Sequence, residues 1–163
     1  MKKLRLTILL ACSCIGISFS QVIPDYEAYL GQTPPGKIRK IFNLAADPGY
    51  LAVENIAVSA DGKGIYYEET NSSWTSYKFK YYRYVNNRWD GPLNLFKDFY
   101  CLSLSPDGKF MYFENGNYSD CWVSGRQGTT WNAPSRFLTN VGYDFIGFTM
   151  VSGLIISNHL LRK

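Results

Sequence analysis

Residues 105–115 read SPDGKFMYFEN, and residues 59–69 read SADGKGIYYEE, 46 positions earlier. Each stretch opens with Ser, passes through Asp-Gly-Lys and continues as an apolar run rich in Tyr or Phe. Asp can bond its own following backbone and Gly accepts positive φ, so Asp-Gly between two apolar runs marks a tight hairpin turn. A second landmark repeats in the same order: Trp89 and Pro92 are followed 42 positions later by Trp131 and Pro134. Ordered landmarks with a period of roughly 44 residues match four-stranded propeller blades. The fold class predicted is therefore all-β: four-stranded antiparallel blades of a β-propeller, about two blades plus the start of a third, an incomplete ring. The competing reading is an ordinary sandwich with two similar hairpins. A helical repeat is excluded, because no window beyond the first twenty residues sustains a 3.6 period.

Working outward, the first unit is assigned to 51–96, with strands at Ile56–Ser59, Ile65–Glu68 and Tyr77–Val85 and a Pro-containing edge strand from Arg88. The second unit, 97–140, follows the same script: Leu102–Ser105, Phe110–Glu114, Cys121–Ser124, then Thr130 onward. A third unit, 141–163, starts at Tyr143–Phe148. Where its Asp-Gly-Lys turn is due the chain reads Thr149-Met150-Val151-Ser152-Gly153, with Leu154–Asn158 as a returning strand. The repeat thus reads as interrupted: a truncated copy of a longer propeller, a chain that assembles with other copies to cover its exposed blade faces, or a small stable fragment. Residues 21–50 form a lead-in arm. Pro34-Pro35-Gly36 bars a helix there, Lys37–Leu44 alternates as one short strand, and Asp47-Pro48-Gly49 is turn chemistry.

Composition agrees. The chain has 163 residues, and 17% are aromatic, with 13 Tyr; such residues favour pleated, half-buried surfaces. The formal charge is +4, but Lys2, Lys3 and Arg5 supply most of it. Without residues 1–20 the balance is 14 basic against 13 acidic, which gives no support to a nucleic-acid partner. Residues 1–20 read as a signal peptide: a basic n-region, an apolar run from Leu6 to Phe19, and Ser18-x-Ser20 before Gln21. The run is too interrupted for a transmembrane span of about 20 residues. Leu9-Leu10-Ala11-Cys12 resembles a bacterial lipobox, making Cys12 a second-ranked site of lipidation. The expected location is exported, periplasmic or extracellular, with an outer-membrane lipoprotein as the variant through Cys12.

The two Asp-Gly-Lys stretches resemble the WD-like β-propeller repeat of TolB-type propellers. Residues 120–137, DCWVSGRQGTTWNAPSRF, are similar to blades of bacterial exported members, and residues 29–42, YLGQTPPGKIRKIF, look like their opening segment. The resemblance implies a fold, and a non-catalytic binding or scaffolding protein at the cell envelope with a protein or glycan ligand. Its alternatives are an accessory domain or remnant of an envelope peptidase or polysaccharide-degrading enzyme, or a non-functional truncated product.

Each motif residue has a structural assignment beside a functional one. Asp61, Gly62, Lys63 and Asp107, Gly108, Lys109 are turn residues, the lysines solvated. Tyr66, Tyr67, Tyr112 and Phe113 are expected to pack between blades. Trp89 and Trp131 anchor the outer strands, with glycan stacking as their functional reading. Cys101 and Cys121 fall on the first and third strands of one blade, about 9–10 Å apart at ordinary strand spacing, beyond the about 7 Å a disulfide allows; two free, buried thiols are predicted. Glu68 and Glu114 occupy equivalent repeat positions, which points to solvated strand ends rather than a paired-carboxylate site. His159 is the only histidine, and no catalytic residue, metal site or cofactor is assigned.

Overall fold

A computed structural model describes residues 22–34, 36–115, 120–139, 148–151 and 154–157. The signal-peptide and Cys12 assignments, the start of the third unit at 143–147 and His159 lie outside the described residues. The first unit folds as a four-stranded antiparallel blade, β1 (Tyr50–Val58), β2 (Gly64–Asn71), β3 (Tyr77–Val85) and β4 (Arg88–Lys97), in sequence order across the sheet. The second repeats that order with β5 (Phe99–Leu104), β6 (Phe110–Asn115) and β7 (Cys121–Gln127). Its fourth strand is split: β8 (Thr130–Trp131) and β9 (Ser135–Leu138) both pair with β7. β10 (Phe148–Val151) and β11 (Leu154–Ser157) form a separate antiparallel hairpin. No helix among the described residues is long and apolar enough to cross a membrane, which leaves strands undecided.

Several boundaries differ from the sequence reading. The first strand of each unit starts earlier, because each is interrupted by a bulge, between Val53 and Ile56 in β1 and between Tyr100 and Ser103 in β5. A bulge breaks the two-residue alternation that a sequence pattern relies on. In the third unit a strand, β10, occupies the place where the turn was due, and the reversal falls between Val151 and Leu154. Lys37–Leu44 is not a strand. Ile38 and Ile41 are 79% and 96% exposed, so its alternation gains no burial. Instead the Gln32 side-chain amide donates to the Asn43 carbonyl and accepts from the Asn43 N–H, doing for that residue what a partner strand would.

Alternation within β2 determines how the blades pack. Every residue from Gly64 to Thr70 is buried, because neighbours cover both faces. Tyr66 and Glu68 face the second blade; Ile65, Tyr67 and Glu69 face the other way. The seam between blades is a cluster of Tyr66, Phe79, Leu102, Met111 and Phe113. The Phe113 ring lies 5.5 Å from Phe79, 5.5 Å from Phe96 and 4.7 Å from Phe99, in tilted and edge-to-face arrangements that suit aromatic quadrupoles. Two of the four residues expected between blades sit elsewhere. Tyr67 packs under the lead-in, donating its hydroxyl to the Ala45 carbonyl. Tyr112 faces away from the first blade and packs on Phe137 at 5.5 Å.

Cys101 and Cys121 are free, with β6 between their strands. Cys121 is buried, and burial pushes its thiol up to about 12. Cys101 is only half-buried, because it sits at the β5 bulge with φ 57°.

Peptide mapping without reductant should find both cysteines as thiols; a Cys101–Cys121 bridge would contradict the strand order. Phe113→Ala should lower the urea-unfolding free energy by about 3–5 kcal/mol. Phe137→Ala, at a ring 43% exposed, should cost about 1 kcal/mol or less.

Candidate functional site

The two Asp-Gly-Lys turns are built alike, atom for atom. In the first, the Ser59 hydroxyl donates to Asp61 Oδ1 at 2.6 Å and accepts from the Gly64 N–H at 2.7 Å, while the Lys63 N–H donates to Asp61 Oδ1 at 3.0 Å. In the second, Ser105, Asp107, Lys109 and Phe110 repeat this with 2.6, 2.9 and 3.0 Å. Gly62 and Gly108 take φ of 71° and 67°, the left-handed conformation that favours glycine. The Ser105 hydroxyl and the Lys109 N–H hold the Asp107 carboxyl below its ordinary range. In each unit the turn lysine contributes its carbonyl: Lys63 accepts from the Tyr84 N–H and Lys109 from the Arg126 N–H, both at 2.7 Å. The Lys109 side chain is exposed, whereas Lys63 is half-buried rather than fully solvated.

Both tryptophans are half-buried. The Trp89 indole N–H donates to the Glu27 carbonyl at 2.7 Å, tying the lead-in to β4, and its ring meets Tyr84 edge-on at 5.4 Å. The Trp131 ring meets Tyr66 edge-on across the blade seam at 5.8 Å.

The glutamates depart most from the sequence reading. Glu68, Glu69 and Glu114 are not solvated strand ends but buried, at 0%, 0% and 4% exposure. They belong to β2 and β6, two strands buried on both faces at these positions, so their backbone position carries them inside. Glu68 accepts from the Asn55 side chain at 3.1 Å and from the Cys101 N–H at 2.9 Å. Asn55 and Cys101 are 46 residues apart and mark the bulges of β1 and β5. One carboxylate thus binds the bulge of its own blade and the bulge of the next. Glu114, its counterpart, has no hydrogen-bond partner at Oε1 among the described residues. Burial and the nearby Glu68 push Glu114 up to about 7.

On the opposite face of the first blade, Asp47 of the lead-in pairs with Lys78 at 2.7 Å and with Lys80, and donates its N–H to Glu69 Oε2 at 2.9 Å. The two ammonium groups, Lys78 first, hold the Asp47 carboxyl far below its usual range. This cluster fastens one half of the lead-in over Tyr67 and Lys80. Over the other half a cleft of about 520 Å³ remains, with Tyr29, Ile41 and Phe42 on the lead-in side and Ile56, Val58 and Ile65 on the blade side. Its volume suits a ligand site and its lining is mostly apolar, with Gln32, Thr33 and Lys40 as the polar members. Nothing in the sequence singled out these residues; the signal available was that Ile56, Val58 and Ile65 precede Leu102, Leu104 and Met111 by 46 positions.

Glu68 and Glu114 lie in the packed interior rather than in the cleft, and among the described residues no three His, Cys, Asp or Glu side chains are grouped to hold a metal ion. Because folded Glu114 holds its proton up to about pH 7 against an ordinary 4.5, the folded state binds more protons between those values. The contribution of Glu114 to stability should therefore be fully present below about pH 4.5 and fall as pH rises to 7, by about 3 kcal/mol. Glu114→Gln should abolish that fall, so thermal melts of the variant at pH 5 and pH 8 should differ less than those of the parent; an unchanged pH difference would contradict the assignment. Comparison with protein-family models, with curated proteins and with solved structures finds no match for this chain.

Proposed function

We propose that this chain is an exported protein of the WD-like β-propeller repeat type that binds a protein partner at the cell envelope and catalyses no reaction. The observation that carries this reading is the apolar cleft. Ile41, Ile56 and Val58 are 96%, 51% and 56% exposed and line one depression. Large apolar side chains gathered on a surface, rather than scattered singly, mark interaction sites. A protein ligand is favoured over a glycan, because Trp89 and Trp131 are both half-buried and engaged with Glu27 and Tyr66, leaving neither ring as an open platform for a sugar face. Export rests on residues 1–20, with processing after Ser20 ahead of lipidation at Cys12.

The test is a tagged full-length chain in a bacterial host with a photo-crosslinking amino acid at position 41. The expected results are a mature N-terminus at Gln21, recovery outside the cytoplasm, and a discrete protein adduct in the envelope fraction. An unprocessed cytoplasmic chain, or an exported chain with no protein adduct and a positive glycan array, would overturn it.

A further inference from the structure

The cleft beside the first blade has a charge pattern as well as apolar walls. Among the described residues that line it, Lys40 is the one charged member and none is acidic. Lys37 and Arg39 stand exposed on the same segment. Among the described residues none of these three cations has an ion-pair partner, whereas Lys78 and Lys80 of the same blade are both paired with Asp47. Unpaired cations gathered at the mouth of an apolar cleft are the complement of an anionic, partly apolar partner.

The main chain at this cleft is open too. Among the described residues, the backbone groups of Ile38, Arg39, Lys40, Ile41 and Phe42 make no hydrogen bond. The Gln32 side chain serves only Asn43, the next residue along. None of residues 37–46 is helical or takes positive φ. On the blade side the cleft is bounded by Ile56 and Val58 of β1, the strand at the end of its sheet. A run of open N–H and C=O groups beside a groove is what an extended peptide adds to: its main chain bonds the run, and alternate side chains enter the groove. Tyr29 also lines the cleft, and Tyr29 and Leu30 take φ of 55° and 57°. Residues with side chains adopt this conformation rarely, and such strain collects at ligand clamps.

We infer that the cleft seats an extended acidic segment of a partner protein, which pairs its main chain with residues 38–42, sets a large apolar side chain against Ile56, Val58 and Ile65, and directs carboxylates at Lys40, Lys37 and Arg39. The concave shape favours an inserted chain over an anionic membrane: a flat lipid face would meet Ile38 and Ile41, 79% and 96% exposed, but not Ile65, 5% exposed in the cleft wall. This inference rests on the reading of the chain as a protein-binding module and names the chemistry of the segment it binds.

The experiment selects random peptides displayed on phage against the full chain purified after export, in parallel with its Lys40→Glu and Ile56→Asp variants. The parent should enrich peptides that alternate large apolar residues with Asp or Glu. The most enriched of these, made synthetically, should bind Lys40→Glu about tenfold more weakly or worse, and Ile56→Asp likewise. Selection on Lys40→Glu should enrich peptides with Lys or Arg in place of the acids. Both substituted residues are exposed, and circular dichroism checks that the variants keep the parent's fold. Saturation of the parent with the synthetic peptide should slow hydrogen exchange at the 38–42 amides by about tenfold or more, which contact through side chains alone would not do. No enrichment, an enriched set without acids, an affinity that Lys40→Glu leaves unchanged, or unslowed exchange would each overturn the inference, as would binding to phosphatidylglycerol vesicles with no peptide enriched. A protein adduct at position 41 from a partner without an acidic apolar segment would overturn this inference alone and leave the binding role standing; the absence of any protein adduct would overturn the binding role itself.

Discussion

A carboxylate removed from water costs several kcal/mol unless its oxygens find donors, and Glu68 is wholly buried between two blades. Its donors are the Asn55 side chain and the Cys101 N–H. Both belong to bulges, and a bulge frees a backbone N–H from the strand ladder and turns it out of the sheet. The bulges of β1 and β5, the burial of Glu68 and the register of the two blades therefore depend on one another. Around this polar pin the aromatic seam closes. Phe113 and Phe79 are fully buried and meet edge to face across the two blades at 5.5 Å. Shape and hydrogen bonding thus select the same relative placement of the sheets.

The outer face of the first blade is handled differently. It has no blade against it among the described residues, and it carries Lys78, Lys80 and Glu69 at the positions nearest the lead-in. Asp47 sits between the two lysines, so a near-neutral cluster forms where an isolated buried ammonium would be unstable. The charged half of the face is thereby closed by a strap of the same chain. The apolar half, with Ile56 and Val58, stays half-open. The boundary between the closed half and the half-open half runs through a single blade, from Lys78, Lys80 and Glu69 on β3 and β2 to Ile65 on β2 and Ile56 and Val58 on β1.

Much of this was legible in the residues. The Asp-Gly-Lys pair located both hairpins, because a turn that needs Asp at one position and positive φ at the next leaves a local mark whatever surrounds it. The strand Tyr77–Val85 matches the sequence reading at both ends for a different reason, that its alternation is unbroken. The bulges were not legible: an inserted residue erases the period by which a strand is recognised, so β1 and β5 were read short. Glu68 and Glu114 were misplaced because a glutamate at a strand end is solvated by default, and only a neighbouring blade makes it internal. The spacing of 46 that relates them was visible, as was the same spacing between Asn55 and Cys101. What joins those two pairs is three-dimensional. The cleft was invisible for a related reason. Lys37–Leu44 alternates like a strand, and the Gln32 amide that substitutes for a partner strand lies eleven residues from Asn43.

The claim that the blades are pinned through Glu68 is tested most directly by native-state hydrogen exchange at the Cys101 amide. If that N–H is held by a buried carboxylate of the other blade, its protection should match that of the β6 amides at Met111 and Phe113, and Glu68→Ala should lower its protection by about tenfold or more. A Cys101 amide that exchanges as fast as exposed turn amides, in a chain whose β6 amides remain protected, would contradict the account.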